Sequence, residues 1–227
     1  MRLSFFCLTA SLLLTGCLSS PFFTTPNYLG NINGKLYLMD GSSVEGELSI
    51  STTNTFGSPV KVKRVGEKDA LKYNLEQVLG YELRGDYYAL KEIRSDISSA
   101  SSYVKYSFMR RLTPANSAMH LYEDLNSTTY TSKNANGTST SNTSTEKLYY
   151  AQLPHEGGRT VFALDGRMFV PYFDQKVSGY VSDCPTLAQR IINKEDHYFY
   201  PEFSINNTQE RRLEVMMNIA SQYNNCK

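Results

Sequence analysis

Lys35-Leu36-Tyr37-Leu38-Met39-Asp40-Gly41-Ser42-Ser43-Val44-Glu45-Gly46-Glu47-Leu48-Ser49-Ile50 holds two short apolar-rich runs on either side of an Asp-Gly pair. Successive strand side chains point to opposite faces, so Val44, Gly46, Leu48 and Ile50 share one face. Asp40-Gly41 supplies the positive φ that a tight hairpin turn demands. The segment predicts an antiparallel β-hairpin with one buried face.

The same pattern continues downstream. Val60-Lys61-Val62-Lys63-Arg64-Val65 alternates apolar and basic residues before a turn at Gly66, and Leu71-Lys72-Tyr73 follows in the same idiom. Leu75 to Val78 predicts one helical turn. Gly80 to Arg84 and Tyr87 to Ile93, with Gly85-Asp86 between them, predict a second hairpin. Further strands are expected at 103–112, 118–123, 147–152 and 160–164. Many short antiparallel strands with polar turns point to a bent sheet or partial barrel, because closure protects strand edges. The stretch 126–145 is almost entirely Asn, Ser, Thr and Gly. With so little apolar surface to offset ordering entropy, it is expected to be a flexible loop. Its sequons at Asn126, Asn136 and Asn142 are what this composition produces.

The last third changes to a helical period. Asp183 is placed to cap a helix with Pro185 in its first turn, and Leu187, Ala188, Ile191 and Ile192 recur on one stripe. Asn207 and Glu210 resemble a capping box for a second helix, in which Leu213, Met216, Met217 and Ala220 face the core. The expectation is an α+β fold: a β-rich body over 34–176 and a helical segment over 177–227 packed on it.

With 227 residues, 41% hydrophobic and 20% charged, the chain has the composition of one globular body. It carries 23 Lys and Arg against 22 Asp and Glu, and the only charge before Cys17 is Arg2. So even a balance gives no electrostatic footprint for nucleic acid.

The opening segment carries an address. Met1-Arg2 is a short basic region, Leu3 to Leu14 is an apolar run too short to span a bilayer, and Leu14-Thr15-Gly16-Cys17 stands at the cleavage position. Here the chain resembles bacterial lipoprotein precursors. That resemblance implies a signal peptide over 1–16 and lipid on Cys17, the alternative being an ordinary secretory signal or an N-terminal core strand. Two or three acyl chains make attachment effectively permanent. Leu18, where the family's retention rule has Asp, implies the outer rather than the inner membrane. Residues 17–33, with Pro21 and Pro26, read as a tether able to reach on the order of 50 Å. Phe22, Phe23 and Tyr28 are also suited to lying on the bilayer or the body.

Cys7 leaves with the signal and Cys17 takes the lipid, so an exported chain retains Cys184 and Cys226. An even pair in an oxidising compartment reads as a disulfide, worth roughly 4 kcal/mol by loop-closure entropy. A catalytic Cys184 with His197 is the sharper alternative. Two distant thiols and three scattered histidines form no metal motif.

Asp183-Cys184-Pro185-x-Leu187, the amphipathic segment after it and Tyr223-Asn224-Asn225-Cys226 resemble the ending of uncharacterised exported proteins of Bacteroidota. Asp40-Gly41, Gly46, Val78-Leu79-Gly80-Tyr81 and Tyr87-Tyr88 match the pattern of their N-terminal halves. The resemblance implies architecture and compartment and supplies no mechanism or cofactor.

No G-x-S-x-G elbow, H-E-x-x-H pair or phosphate-cradling loop occurs. His155-Glu156-Gly157-Gly158 reads as a turn. Glu67 with Asp69, Glu123 with Asp124, and Glu195 with Asp196 are the carboxylate pairs to test for acid–base geometry. The chain has 17 Tyr and 11 Phe but no Trp. Adjacent strand residues face opposite ways, so one of Tyr87 and Tyr88, and one of Tyr149 and Tyr150, is expected to be exposed or covered by the helices. These four are the binding candidates. The expectation is a lipid-anchored envelope module that binds a protein partner without catalysis; the alternative is a lipid-anchored hydrolase or small-ligand binder.

Overall fold

The computed structural model describes residues 20–52, 58–93, 105–133, 136–202 and 208–226. The wing strands are β1 (Phe22–Thr25), β2 (Tyr28–Leu38), β3 (Ser43–Ser51), β4 (Val60–Lys63), β5 (Leu71–Tyr73) and β6 (Val78–Leu83), with a 3-10 turn over Leu75–Gln77. Then come β7 (Asp86–Ile93), β8 (Lys105–Arg111), β9 (His120–Lys133), β10 (Ser139–Gln152) and β11 (Thr160–Ala163). Three helices close the chain: α1 (Phe173–Tyr180), α2 (Pro185–Ile192) and α3 (Gln209–Asn225). The fold is α+β, and strands form at each segment where alternation predicts one, with further strand within 22–33 and 126–145.

All the strands belong to one sheet, in the order β11-β10-β9-β8-β7-β6-β2-β3-β4-β5, with β1 added to β2. At one end the sheet curls until β11, already antiparallel to β10, also pairs with β7 in parallel, Val161 opposite Ile93. Strands β7 to β11 thus close a five-strand ring. The remaining strands continue from β7 as an open wing, so the whole is a partial barrel. Every other ladder is antiparallel; the parallel seam has no local signature, because it joins segments about 70 residues apart.

The hairpin at Asp40-Gly41 forms as its sequence dictates. Gly41 has φ +84°, and the Asp40 carboxylate accepts from the Ser42 amide at 2.9 Å and its hydroxyl at 2.6 Å. The second hairpin turns on Arg84-Gly85, both at positive φ (54° and 88°), one residue earlier than expected. Gly80 is required by packing instead: a β-carbon there would lie 2.4 Å from the Tyr88 carbonyl oxygen.

Three cores result. Leu36, Leu48, Val62 and Tyr81 of the wing pack with Leu90 of β7 and Phe108 of β8. On the outside of the ring, Leu121, Tyr149 and Phe162 meet Phe173, Leu187, Ile191, Met216 and Ile219 of the helices. Inside the ring, Ala89, Met109, Tyr122, Tyr150 and Val161 converge, one from each strand.

Several expectations need correction. Residues 22–33 are two strands joined by a turn at 26–27, not a tether, because Leu29 and Ile32 are buried in the wing core; the described body takes in β1 from Phe22. The Ser/Thr/Asn-rich stretch 126–145 is mostly strand, over 126–133 and 139–145. There β9 and β10 pair without interruption from Asn126 opposite Glu146 to Lys133 opposite Ser139, a ladder that needs no apolar face. The β-branched threonines favour it. Helical structure starts at Phe173 rather than 177. Cys184, not Asp183, is the N-cap of α2, and Ile192 is exposed. Asn207 lies outside the described residues; α3 is capped by Thr208, whose hydroxyl accepts from the Arg211 amide at 3.2 Å. The buried stripe of α3 is centred on Val215, Met216, Ile219, Ala220 and Tyr223, with Leu213 and Met217 at its margins.

Candidate functional site

The outer face of β7, β8 and β9 is covered by the wing at one end and by the helices at the other. Between these covers lies a shallow cleft of about 210 Å³ lined by Pro26, Asp86, Tyr88, Arg110, Glu123 and Leu125. The ladders fix it: Tyr88 is opposite Arg110, and Arg110 is opposite Glu123. Glu123 is 6% exposed and doubly paired, to the Arg110 guanidinium at 2.9 Å and the Lys147 ammonium at 3.3 Å. Arg110 also reaches Asp86 at 4.0 Å. Charge alternates along this row and cancels. The Arg110 Nε is buried with no hydrogen-bond partner.

Beside the cleft stands β1, which pairs only with β2 among the described strands. Phe22, Phe23 and Tyr28 are 41%, 38% and 44% exposed. The Phe22 and Tyr28 rings are 5.1 Å apart, while Phe23 turns toward Tyr88 at 6.3 Å. The turn between β1 and β2 is fixed by Asn27, whose side-chain carbonyl accepts from the Phe108 amide at 2.7 Å and the Thr52 hydroxyl at 2.9 Å. Its Nδ2 donates to Ser107 at 2.8 Å and to Asp124 at 3.4 Å. This turn fills the opening left where the short β8–β9 ladder stops.

Of the four tyrosines, Tyr88 lines the cleft and stacks on Tyr81 with ring centroids 4.8 Å apart. Tyr87 is half-buried, edge-on to Tyr37 at 5.7 Å and beneath the Arg111 guanidinium at 4.6 Å. Tyr149 is covered by the helices, as one alternative anticipates. Tyr150 sits inside the ring, where burial raises its phenol pKa strongly. Tyr149 and Tyr150 are therefore packing residues; Tyr88 is buried too, though it borders the cleft, and Tyr87 alone of the four is half-buried.

The carboxylate pairs do not assemble as acid and base. Glu123 and Asp124 face opposite sides of β9. Asp124 is buried, which raises its pKa, while a 2.9 Å hydrogen bond from Ser107 opposes the rise. Glu67 is held by Arg64 at 3.8 Å and Glu195 by Arg190 at 3.7 Å. Cys184 and Cys226 form a disulfide that joins the start of α2 to the end of α3. The bond occupies the thiol that a Cys184–His197 nucleophile would need. The neighbouring Asp183 carboxylate accepts from the Tyr223 hydroxyl at 2.8 Å and lies 3.3 Å from His155. Cys17 and its motif fall outside the described residues, among which no helix is long and apolar enough to cross a membrane. Nor do three His, Cys, Asp or Glu side chains come together among them as metal ligands.

Residue-by-residue reading missed Arg110, Arg111 and Lys91. The available signal was the one applied to the tyrosines: Arg110-Arg111 are adjacent on a strand, so one must face inward. Comparison with known proteins returns no matching family, no matching curated protein and no matching solved structure.

Proposed function

We propose that this chain is a non-catalytic interaction module of the bacterial cell envelope, held at a membrane, the outer rather than the inner, by lipid on Cys17. It contacts a partner protein along β1 and the adjoining cleft. The observation that carries this reading is the grouping of Phe22, Phe23 and Tyr28 on and beside an edge strand, when every other Phe and Tyr ring whose burial is described, except Tyr172, is buried or half-buried. An unpaired edge offers backbone donors and acceptors for an added strand. Aromatic rings supply contact area. Confinement to a surface raises local concentration, so a modest contact suffices. The balanced Asp86–Arg110–Glu123–Lys147 row favours polar contact over catalysis, since both carboxylates are neutralised by cations.

The test is site-specific photocrosslinking in cells, with a photoreactive residue placed at Phe23 or at Ile192, which is exposed on α2. A discrete adduct from position 23 that is absent from 192, and weakened by Cys17→Ala, is the expected result. Equal adducts from both positions, or none from 23, would refute the assignment.

A further inference from the structure

The inner face of the ring holds cations that the fold does not neutralise. Lys91 projects from β7 into the ring and is 7% exposed. Its ammonium donates to the Gln152 side-chain carbonyl at 2.7 Å and lies 4.6 Å from the Tyr122 ring centroid. Gln152 holds that carbonyl in place by donating its own amide to the backbone oxygens of Glu156 (3.2 Å) and Gly158 (3.1 Å), and it accepts from the Tyr122 hydroxyl at 3.2 Å. Arg111 enters from β8, stacked on Tyr87 at 4.6 Å. His120 lies beside Tyr122, ring centroids 6.1 Å apart, with its Nδ1 at 3.0 Å from the Thr113 hydroxyl. Arg159 borders the group, its guanidinium donating to the backbone oxygens of Leu75, Glu76 and Val78.

Among the described residues neither Lys91 nor Arg111 forms an ion pair; the buried Asp124 carboxylate on the same face is taken instead by Ser107, which stands opposite Lys91, and by Asn27. Glu82, opposite Tyr87 on β6, is engaged by the Tyr37 hydroxyl at 2.8 Å. Burial, followed by the charges of Arg111 and Arg159, pulls Lys91 down to about 8. Burial, then Arg111 and Lys91, pulls His120 down to about 4. Burial is the larger cause for both groups, and the charges that add to it are positive.

A buried ammonium needs a counter-charge, or its desolvation remains uncompensated. Arg111 is half-buried with no side-chain hydrogen bond to a described residue, leaving its forked donors open to solvent above the tyrosine face. Such a fork matches two oxygens of a carboxylate or phosphate. Two tyrosine faces and one fixed carbonyl add orientation around it.

We infer that the mouth of the ring is a binding site for a small anion ending in a carboxylate or phosphate, held by Arg111 and Lys91 between Tyr87 and Tyr122, with His120 at its rim. The site lies on the opposite face of the strands from the cleft and is independent of the partner contact proposed there.

The chain has three histidines, so His155 and His197 serve as internal references for His120. The experiment is an NMR titration of the whole chain, following the imidazole carbon-bound protons, with inorganic phosphate in one arm and acetate in the other at constant ionic strength. Saturable movement confined to His120, with a rise in its pKa on loading, is expected in at least one arm. Phosphate alone identifies a phosphoryl ligand, and acetate alone a carboxylate ligand. Arg111→Gln should weaken the response about tenfold or more while leaving the amide spectrum folded. Lys91→Met, which retains the stem and removes the charge, should do the same if the variant at 111 proves unstable. No saturable shift in either arm, parallel movement of all three histidines, or an unchanged response in a folded variant would overturn the site.

Discussion

The two faces of the same five strands are built to different rules. Outward, Leu121, Tyr149 and Phe162 are sealed under three helices among apolar neighbours. Inward, behind Ala89, Met109 and Val161, the ring holds Lys91, Arg111, His120 and Gln152. The outer face stabilises the fold by removing apolar surface from water. The inner face works against stability, because a buried ammonium without a carboxylate is maintained at a cost. Strands of one ring can therefore be fixed from outside while their interior is left free to carry charge.

The largest effect should come from opening the outer face. Phe173→Ala removes a fully buried ring packed at a tilt against Tyr200, centroids 4.3 Å apart, and should lower stability by about 4 kcal/mol, read as a shift in the urea midpoint. A loss below about 1 kcal/mol would mean the helices are not what holds the ring. The inner face should respond with the opposite sign. Burial holds the Lys91 ammonium down to about 8, so at pH 7 the amine is charged in both folded and unfolded chains. Lys91→Met relieves that burial and forfeits one hydrogen bond and a ring contact, so a net gain of about 1–2 kcal/mol is expected. A loss instead would show that the ammonium finds compensation within the chain.

The smallest effect is a pH dependence. His120 has a folded value of about 4 against 6.5 in the unfolded chain, so the fold prefers the neutral ring. Its contribution is complete above pH 6.5 and is lost as pH falls toward 4, because the unfolded chain takes up the proton first. His120→Gln should flatten that part of the stability profile by about 1 kcal/mol, a figure reduced from the full shift because the ring is only half-buried. Denaturant midpoints at pH 4 and 7 for both proteins check it. Asp124, whose pKa is raised, acts in the opposite direction and is common to both.

The contrast between faces also explains what was legible in the sequence. The wing strands have one buried face each, so Val44, Leu48 and Ile50 announce themselves at period two, and Asp40-Gly41 marks the turn. The disulfide followed from counting cysteines. The charged interior was hidden because lysine and arginine in a strand are ordinarily read as facing water, a rule that holds for Lys61 and Lys63 and fails for Lys91. The β9–β10 ribbon was hidden for a different reason: it rests on backbone pairing and contacts such as Thr131 with Ser141 at 3.1 Å, none of which leaves an apolar signature. Helix α1 presents only Phe173, Val177 and Ser178 to the interior, too few positions to establish a period. At the cleft, alternation shows that Tyr87 and Tyr88 face opposite ways but not which one borders the cleft, and the setting of alternating charges around Tyr88 depends on a register that only the assembled sheet defines.

The parallel seam of the ring imposes an order in time. Hairpins such as β2–β3 and β6–β7 join neighbours in the chain and close with little loss of entropy. The seam brings Glu92 to Thr160 only when a segment of about 70 residues has emerged and turned back. A nascent chain halted at any point before Thr160 can therefore hold a paired wing but no ring, and the ammonium of Lys91 remains in water until the final strand arrives.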